Sequence, residues 1–179
     1  MANKTSASCE KYQNVDQEYS HLHAWIDNLP YIIMVVLGAS MLFMGFGVSL
    51  WKWTTAVLYL LYGIVGALWI ILFVCPYCHF YDTRFCPCGY GKIASRLRQR
   101  KDDSLFIKKF KRHIPAIVPL WIIPTFAGIA FLIRDFSILM LVLLALFAVN
   151  SFAILPLIST KYGCAHCPQK DECPWMKHK

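Results

Sequence analysis

The chain has 179 residues, 58% of them hydrophobic and 16% charged, and a formal net charge of +8. Soluble domains carry about 25% charged residues, so this composition excludes an ordinary soluble core and points to lipid as the solvent. The excess of positive charge is not read as nucleic-acid binding, because no compact soluble module is left over to present a basic patch.

Residues 1–29 are polar and mixed in charge, with no early apolar stretch or small-residue cleavage site, so no secretory signal is expected there. The run His21-Leu22-His23-Ala24-Trp25-Ile26 reads as a short interfacial helix anchored by Trp25. From Pro30 four charge-free stretches follow: 30–50, 54–74, 114–133 and 137–158. Each is about 20 residues, the length needed to cross about 30 Å of hydrocarbon. The links Trp51-Lys52-Trp53 and Arg134-Asp135-Phe136 are short enough to be only turns. The expected fold is an all-α integral membrane protein, with four transmembrane helices in two hairpins and a cytoplasmic Cys-rich metal-binding face. Its segments are 1–29 (cytoplasmic or interfacial), 30–74 (hairpin 1), 75–113 (Cys-rich loop and basic helix), 114–158 (hairpin 2) and 159–179 (Cys-rich tail).

Sixteen of the 18 Lys and Arg fall on the side that holds 1–29, 75–113 and 159–179. The positive-inside rule puts that side, and both termini, in the cytoplasm. Gly63 and Ala67 form a small-xxx-small pair suited to close helix packing. Pro115 fits a first helical turn, whereas Pro119 and Pro124 should bend the third helix. Residues 92–113 read as a basic amphipathic helix or helix pair on the membrane surface. The four stretches hold no Asp, Glu, Lys, Arg or His, which argues against a pump or a carrier of charged substrates. Asn150 is the one amide within them and suits a helix–helix hydrogen bond.

The eight cysteines carry the chemistry. Seven form two clusters, Cys75-x2-Cys78-x7-Cys86-x-Cys88 and Cys164-x2-Cys167-x5-Cys173; the eighth is Cys9. Cytoplasmic thiols stay reduced, so dense cysteines there point to metal rather than to disulfides. Two Cys-x2-Cys turns starting near the same interfacial plane could share one tetrahedral ion. Cys86, Cys88 and Cys173 would then build a second site with His79, His166 or Cys9. Alternatively each cluster holds its own metal, with Cys75, Cys78, Cys86 and Cys88 in one. The candidate ligands are therefore Cys75, Cys78, Cys86, Cys88, Cys164, Cys167, Cys173, His79 and His166, and the cofactor is zinc or an iron–sulfur cluster in one or two sites.

No catalytic constellation accompanies these residues. The expected role is a non-catalytic accessory or electron-transfer subunit of a larger membrane complex, in contact with the bilayer and with other subunits. In layout the chain resembles protein S-acyltransferases, with four helices and a Cys-rich cytoplasmic segment between the second and third. That resemblance would imply an enzyme. It stops at architecture, because Cys78-His79-Phe80-Tyr81-Asp82 lacks the Asp-His-His-Cys signature. A metal or thiol carrier is a further alternative, weakened by the lack of cysteine pairs inside the apolar stretches.

Overall fold

The computed structural model describes residues 21–47, 49–83 and 85–164, and all regular structure among them is helical. Helix α1 spans His21–Gly45 and α2 spans Ser49–Phe73. Two short helices follow, α3 over Tyr90–Leu97 and α4 over Phe106–His113. Helix α5 spans Pro119–Arg134 and α6 spans Ile138–Val149. The last stretch continues as a π-helical turn Asn150–Ile154, a short α7 at Leu155–Ile158, and a second π segment Ser159–Cys164.

Four helical stretches are long and apolar enough to cross a membrane: Leu22–Gly45, Leu50–Tyr77, Asp103–Arg134 and Ile138–Lys161. Their outer faces remain apolar; Leu58 is 60% exposed, Phe126 68% and Ile138 72%. Water would not tolerate so large a contiguous apolar surface, but lipid does. These features support a multi-pass membrane protein.

Helix α1 is the hub, packing against α2, α5, α6 and the first π turn. The core lies along it: Met34, Met41 and Leu42 meet Tyr59, Leu120, Met140 and Phe147. Close approach depends on missing side chains. A Cβ on Gly38 would come within 2.6 Å of the Tyr59 ring, and one on Gly45 within 2.0 Å of Phe131.

The structure differs from the sequence expectation at both ends of this bundle. The interfacial helix and the first span are one helix, with Pro30 inside it. Proline is tolerated within membrane helices; the carbonyl it frees is that of Ile26, four residues earlier, and the helix is tied to the fourth stretch by the buried Asn150 amide, which donates to the Pro30 carbonyl at 2.9 Å. Pro119 does not bend the third helix but starts it, after a 3-10 turn at Ile114–Ala116. Pro124 does lie inside α5 and leaves the Leu120 carbonyl without its helical donor; the Tyr59 hydroxyl donates there at 2.7 Å. The fourth stretch shifts to π register just before Pro156. In that register the Ser151 carbonyl would look to residue 156, which has no N–H. The Trp121 indole donates to it instead at 3.3 Å. The basic segment resolves into the pair α3 and α4, separated by residues 98–105.

Candidate metal centre

Past α2 the chain makes a buried 3-10 turn, Cys75-Pro76-Tyr77, in which Pro76 occupies an early helical position that needs no N–H donor. The Cys78 N–H closes this turn onto the Cys75 carbonyl at 3.0 Å. Cys75 itself sits in a small apolar cluster with Ile71, Tyr81 and Ala94. Lys101 N–H donates to the Pro76 carbonyl at 2.9 Å, pinning the far end of the segment back onto the turn.

The second turn, Cys86-Pro87-Cys88-Gly89, reverses the chain into α3. Gly89 takes φ +73°, a left-handed value that glycine adopts without a Cβ clash. The Gly89 N–H returns to the Cys86 carbonyl at 3.1 Å, and the Gly91 N–H donates to the Cys86 sulfur at 3.3 Å. Gly91 also passes so near the Phe80 carbonyl that a Cβ there would lie 2.4 Å from its oxygen. The two sulfurs, Cys86 Sγ and Cys88 Sγ, stand 3.8 Å apart. Four thiolates at about 2.3 Å around one tetrahedral ion have edges of about 3.8 Å, so this pair has the span of one edge.

The electrostatics divide the pair. The Cys86 thiol is pushed down to about 7 by its hydrogen bond with Cys88, assisted by the backbone N–H groups of Gly91, Gly89 and Cys88. Cys88 is pushed well up, chiefly by the same bond with Cys86 and by burial, with the charges of Cys86, Asp27 and Cys75 adding to it. Burial raises Tyr90 as well, and Cys88, Tyr31, Cys75 and Asp27 raise it further. The largest charge effects on Cys88 and Tyr90 come from acidic groups.

The candidate ligands separate into three groups. Cys75, Cys86 and Cys88 come into electrostatic reach of one another where α2 ends and α3 begins. Cys78 lies half-buried on the first turn, and His79 Nδ1 is 3.7 Å from Asp103 Oδ2. The Cys164 side chain, and Cys9, His166, Cys167 and Cys173 altogether, lie outside the described residues. So does the proposed sharing of one ion between the Cys75-x2-Cys78 and Cys164-x2-Cys167 pairs. Among the described residues no three His, Cys, Asp or Glu side chains form a group that could hold a metal ion.

Sequence reasoning missed Asp27. Because α1 starts at His21 rather than at Pro30, Asp27 falls within the first apolar helix, which corrects the expectation of charge-free spans. Its Oδ1 is buried without a hydrogen-bond partner. The helix around it packs directly on the second turn. Asn28 Nδ2 donates to the Cys88 carbonyl at 3.0 Å, and a Cβ on Gly89 would lie 3.6 Å from that of Ala24. A helical period continued back from Pro30 would have put Ala24, Asp27 and Asn28 on one face.

A groove of about 640 Å³ runs between α1 and α2. Gly63, Ile64 and Ala67 line its apolar length, and Asn28, Tyr31 and Tyr90 gather at the end beside the second turn. No known protein family, curated protein or solved structure matches this chain.

Proposed function

We propose that the chain is a membrane-embedded, metal-binding subunit of a larger membrane complex, holding zinc or an iron–sulfur cluster through thiolates at the membrane surface. The observation that carries this reading is the Cys86–Cys88 pair, 3.8 Å apart with a backbone N–H aimed at one sulfur. Backbone donors favour the thiolate form, and the thiolate is the species that ligates metal. Cys75, Cys78 and the tail residues Cys164, His166, Cys167 and Cys173 supply the remaining donors of one or two sites. The metal would fix these turns into a rigid plate. That plate would carry Tyr77, Phe80 and Tyr81 to a partner subunit, at less ordering cost than a loose loop.

The helices pair as two hairpins in this reading, and the Lys and Arg asymmetry puts the plate and both termini in the cytoplasm. The electron-transfer form of the role would use the apolar groove between α1 and α2, whose polar residues Asn28, Tyr31 and Tyr90 could meet a quinone head.

Metal analysis of the purified full-length protein, with its visible spectrum, tests the core of the proposal. About one or two metals per chain, lost when Cys86 and Cys88 are both changed to Ser, is the expected result. Broad visible absorbance identifies iron–sulfur, and a colourless protein with stoichiometric zinc ends the electron-transfer form. A wild-type chain purified from native membranes without metal overturns the proposal. Orientation is read separately: a C-terminal fluorescent-protein fusion should glow, and an alkaline-phosphatase fusion should stay inactive.

A further inference from the structure

The far end of α2 carries a run of aromatic rings, and basic side chains gather on it. Trp69 and Phe73 lie four residues apart with ring centroids 4.4 Å from each other. His113, at the end of α4, meets these two rings at 5.8 Å and 5.3 Å. The Arg98 guanidinium stands 5.6 Å from the Phe73 ring. Tyr77, the last residue of the second apolar stretch, receives two ammoniums: Lys101 Nζ at 5.5 Å and Lys109 Nζ at 5.3 Å from its centroid.

Backbone bonds fix this arrangement. The Lys101 N–H donates to the Pro76 carbonyl at 2.9 Å, and the Tyr81 hydroxyl donates to the Arg98 carbonyl at 2.5 Å. Tyr77 itself is buried. The ring attracts each ammonium, but two like charges sharing one ring also repel each other. The carboxylates of the same loop are engaged elsewhere. Asp102 Oδ1 accepts from the Ser104 N–H at 3.0 Å, and Asp103 Oδ2 is 3.7 Å from His79 Nδ1. Among the described residues neither lysine is ion-paired with a carboxylate.

Where these cations stand decides which anion answers them. Tyr77 closes a stretch of spanning length, so they lie at the level where hydrocarbon gives way to headgroups. Leu97 and Leu105, on either side of them in the chain, are exposed and apolar. Positive charge beside apolar surface suits a phosphate joined to acyl chains better than a soluble anion.

We infer that Lys101 and Lys109, with Arg98 beside them, bind the headgroup phosphate of an anionic phospholipid, with the Tyr77 ring as the floor of the site. This differs from the general pull of a basic segment on an anionic surface, which does not depend on which lysine supplies the charge. It stands whether or not the thiolate turns hold a metal.

The test is native mass spectrometry of the full-length protein in a non-ionic detergent, titrated with phosphatidylglycerol or phosphatidylcholine. The wild type should bind the first phosphatidylglycerol at least about tenfold more tightly than phosphatidylcholine, the worth of one charge-assisted hydrogen bond. Two double variants of equal charge are compared: Lys101→Gln with Lys109→Gln, and Lys108→Gln with Lys111→Gln. The first pair should weaken phosphatidylglycerol binding at least about tenfold more than the second. The Lys101 N–H that pins the segment is backbone and survives in both, and circular dichroism should show equal helix content. Replacing Lys101 and Lys109 by Arg should restore binding, which a merely structural loss would not predict. Equal losses in the two Gln pairs would reduce the face to a diffuse basic surface and overturn the site. So would phosphatidylcholine binding as tightly as phosphatidylglycerol, or displacement of the lipid by inorganic phosphate at the lipid's own concentration.

Discussion

The helical body and the cysteine-bearing segment that follows α2 meet the same difficulty, unpaired backbone groups in a dry setting, by opposite means. In the body, carbonyls released by helix breaks are answered by side chains from other helices. Tyr59 serves Leu120 below Pro124, Trp121 serves Ser151 below Pro156, and Arg134 serves the last carbonyl of α1 at Gly45. Tyr62 does the same for Ala116, whose usual donor, the Leu120 N–H, is turned to Ile117. In the segment 75–101 most backbone bonds are made within tight turns, with Asn28 and Tyr81 added at the Cys88 and Arg98 carbonyls, and the Gly91 N–H points at a sulfur. The body's bonds are scattered and each can be lost alone. The segment's turns share a few glycines and thiols, so one change should undo several bonds together.

The largest effect should come from Gly91→Val. The new Cβ meets backbone, the Phe80 carbonyl, rather than a movable side chain. Relief requires shifting the chain that carries both the Gly91–Cys86 bond and the Asp82–Gly91 bond. Such overpacking costs about 1–3 kcal/mol, concentrated in this segment. Metal content should fall by more than half while circular dichroism reports an unchanged helical body. A variant with full metal would show the turn to be as tolerant as the bundle.

Protonation should sharpen the contrast next. In metal-free protein the depressed Cys86 pKa means that its thiolate is favoured by the fold. The sign follows: this contribution to stability is present above the free-thiol value of about 8.5 and is lost as pH falls through about 7. Alkylation of Cys86, followed by mass spectrometry, should therefore rise with pH and reach half its plateau near 7. Cys88, which holds its proton much longer, should lag far behind. Bound metal should protect both. Equal rates at the two sulfurs would mean that the turn does not distinguish them.

The body was legible in the sequence because its signal is coarse. Four charge-free stretches of spanning length predicted four helices, and composition alone carries that information. What escaped was tertiary. Pro30 reads as a boundary in the sequence, yet the helix runs through it, and its packing partner Asn150 lies 120 residues away. Misplacing that boundary hid Asp27, since a residue in a loose tail raises no question about its charge. The π register near Pro156 was equally invisible, because it depends on Trp121 being at hand for the Ser151 carbonyl. For the candidate site, spacing named Cys75, Cys86 and Cys88 but did not choose their partners. The structure sets Cys86 and Cys88 side by side, with Cys75 in electrostatic reach but no group of three ligands among the described residues; the tail cysteines lie beyond those residues.

The joint between the two regions should give an intermediate effect. Asn28 spans it, donating both to Ala24 in α1 and to the Cys88 carbonyl in the turn. Asn28→Leu removes a half-buried bond of about 1 kcal/mol, which should raise the open population of the turn about fivefold. The observable is faster alkylation of Cys88 in metal-free protein at fixed pH. Rates like those of the wild type would show that the turn holds its position without α1.

The smallest effect should lie in the body, at Tyr59. Deleting its hydroxyl removes the donor to Leu120, and such interhelical bonds in membranes average about 0.6 kcal/mol. The Phe variant keeps the ring that fills the space beside Gly38, so packing is preserved. What makes the loss informative is its dependence on Pro124. With proline in place, the Leu120 carbonyl has no helical donor, and Tyr59→Phe leaves a buried acceptor unpaired. In a Pro124→Ala background, residue 124 supplies its own N–H to that carbonyl, so the hydroxyl becomes dispensable. A double-mutant cycle on unfolding in mixed micelles should thus show Tyr59→Phe destabilising the wild type and leaving Pro124→Ala nearly unchanged. Pro124→Ala should not disturb metal content, because α5 takes no part in the thiolate turns. Equal costs in both backgrounds would mean that the tyrosine acts through its ring alone, and that the helix tolerates an unanswered carbonyl in lipid.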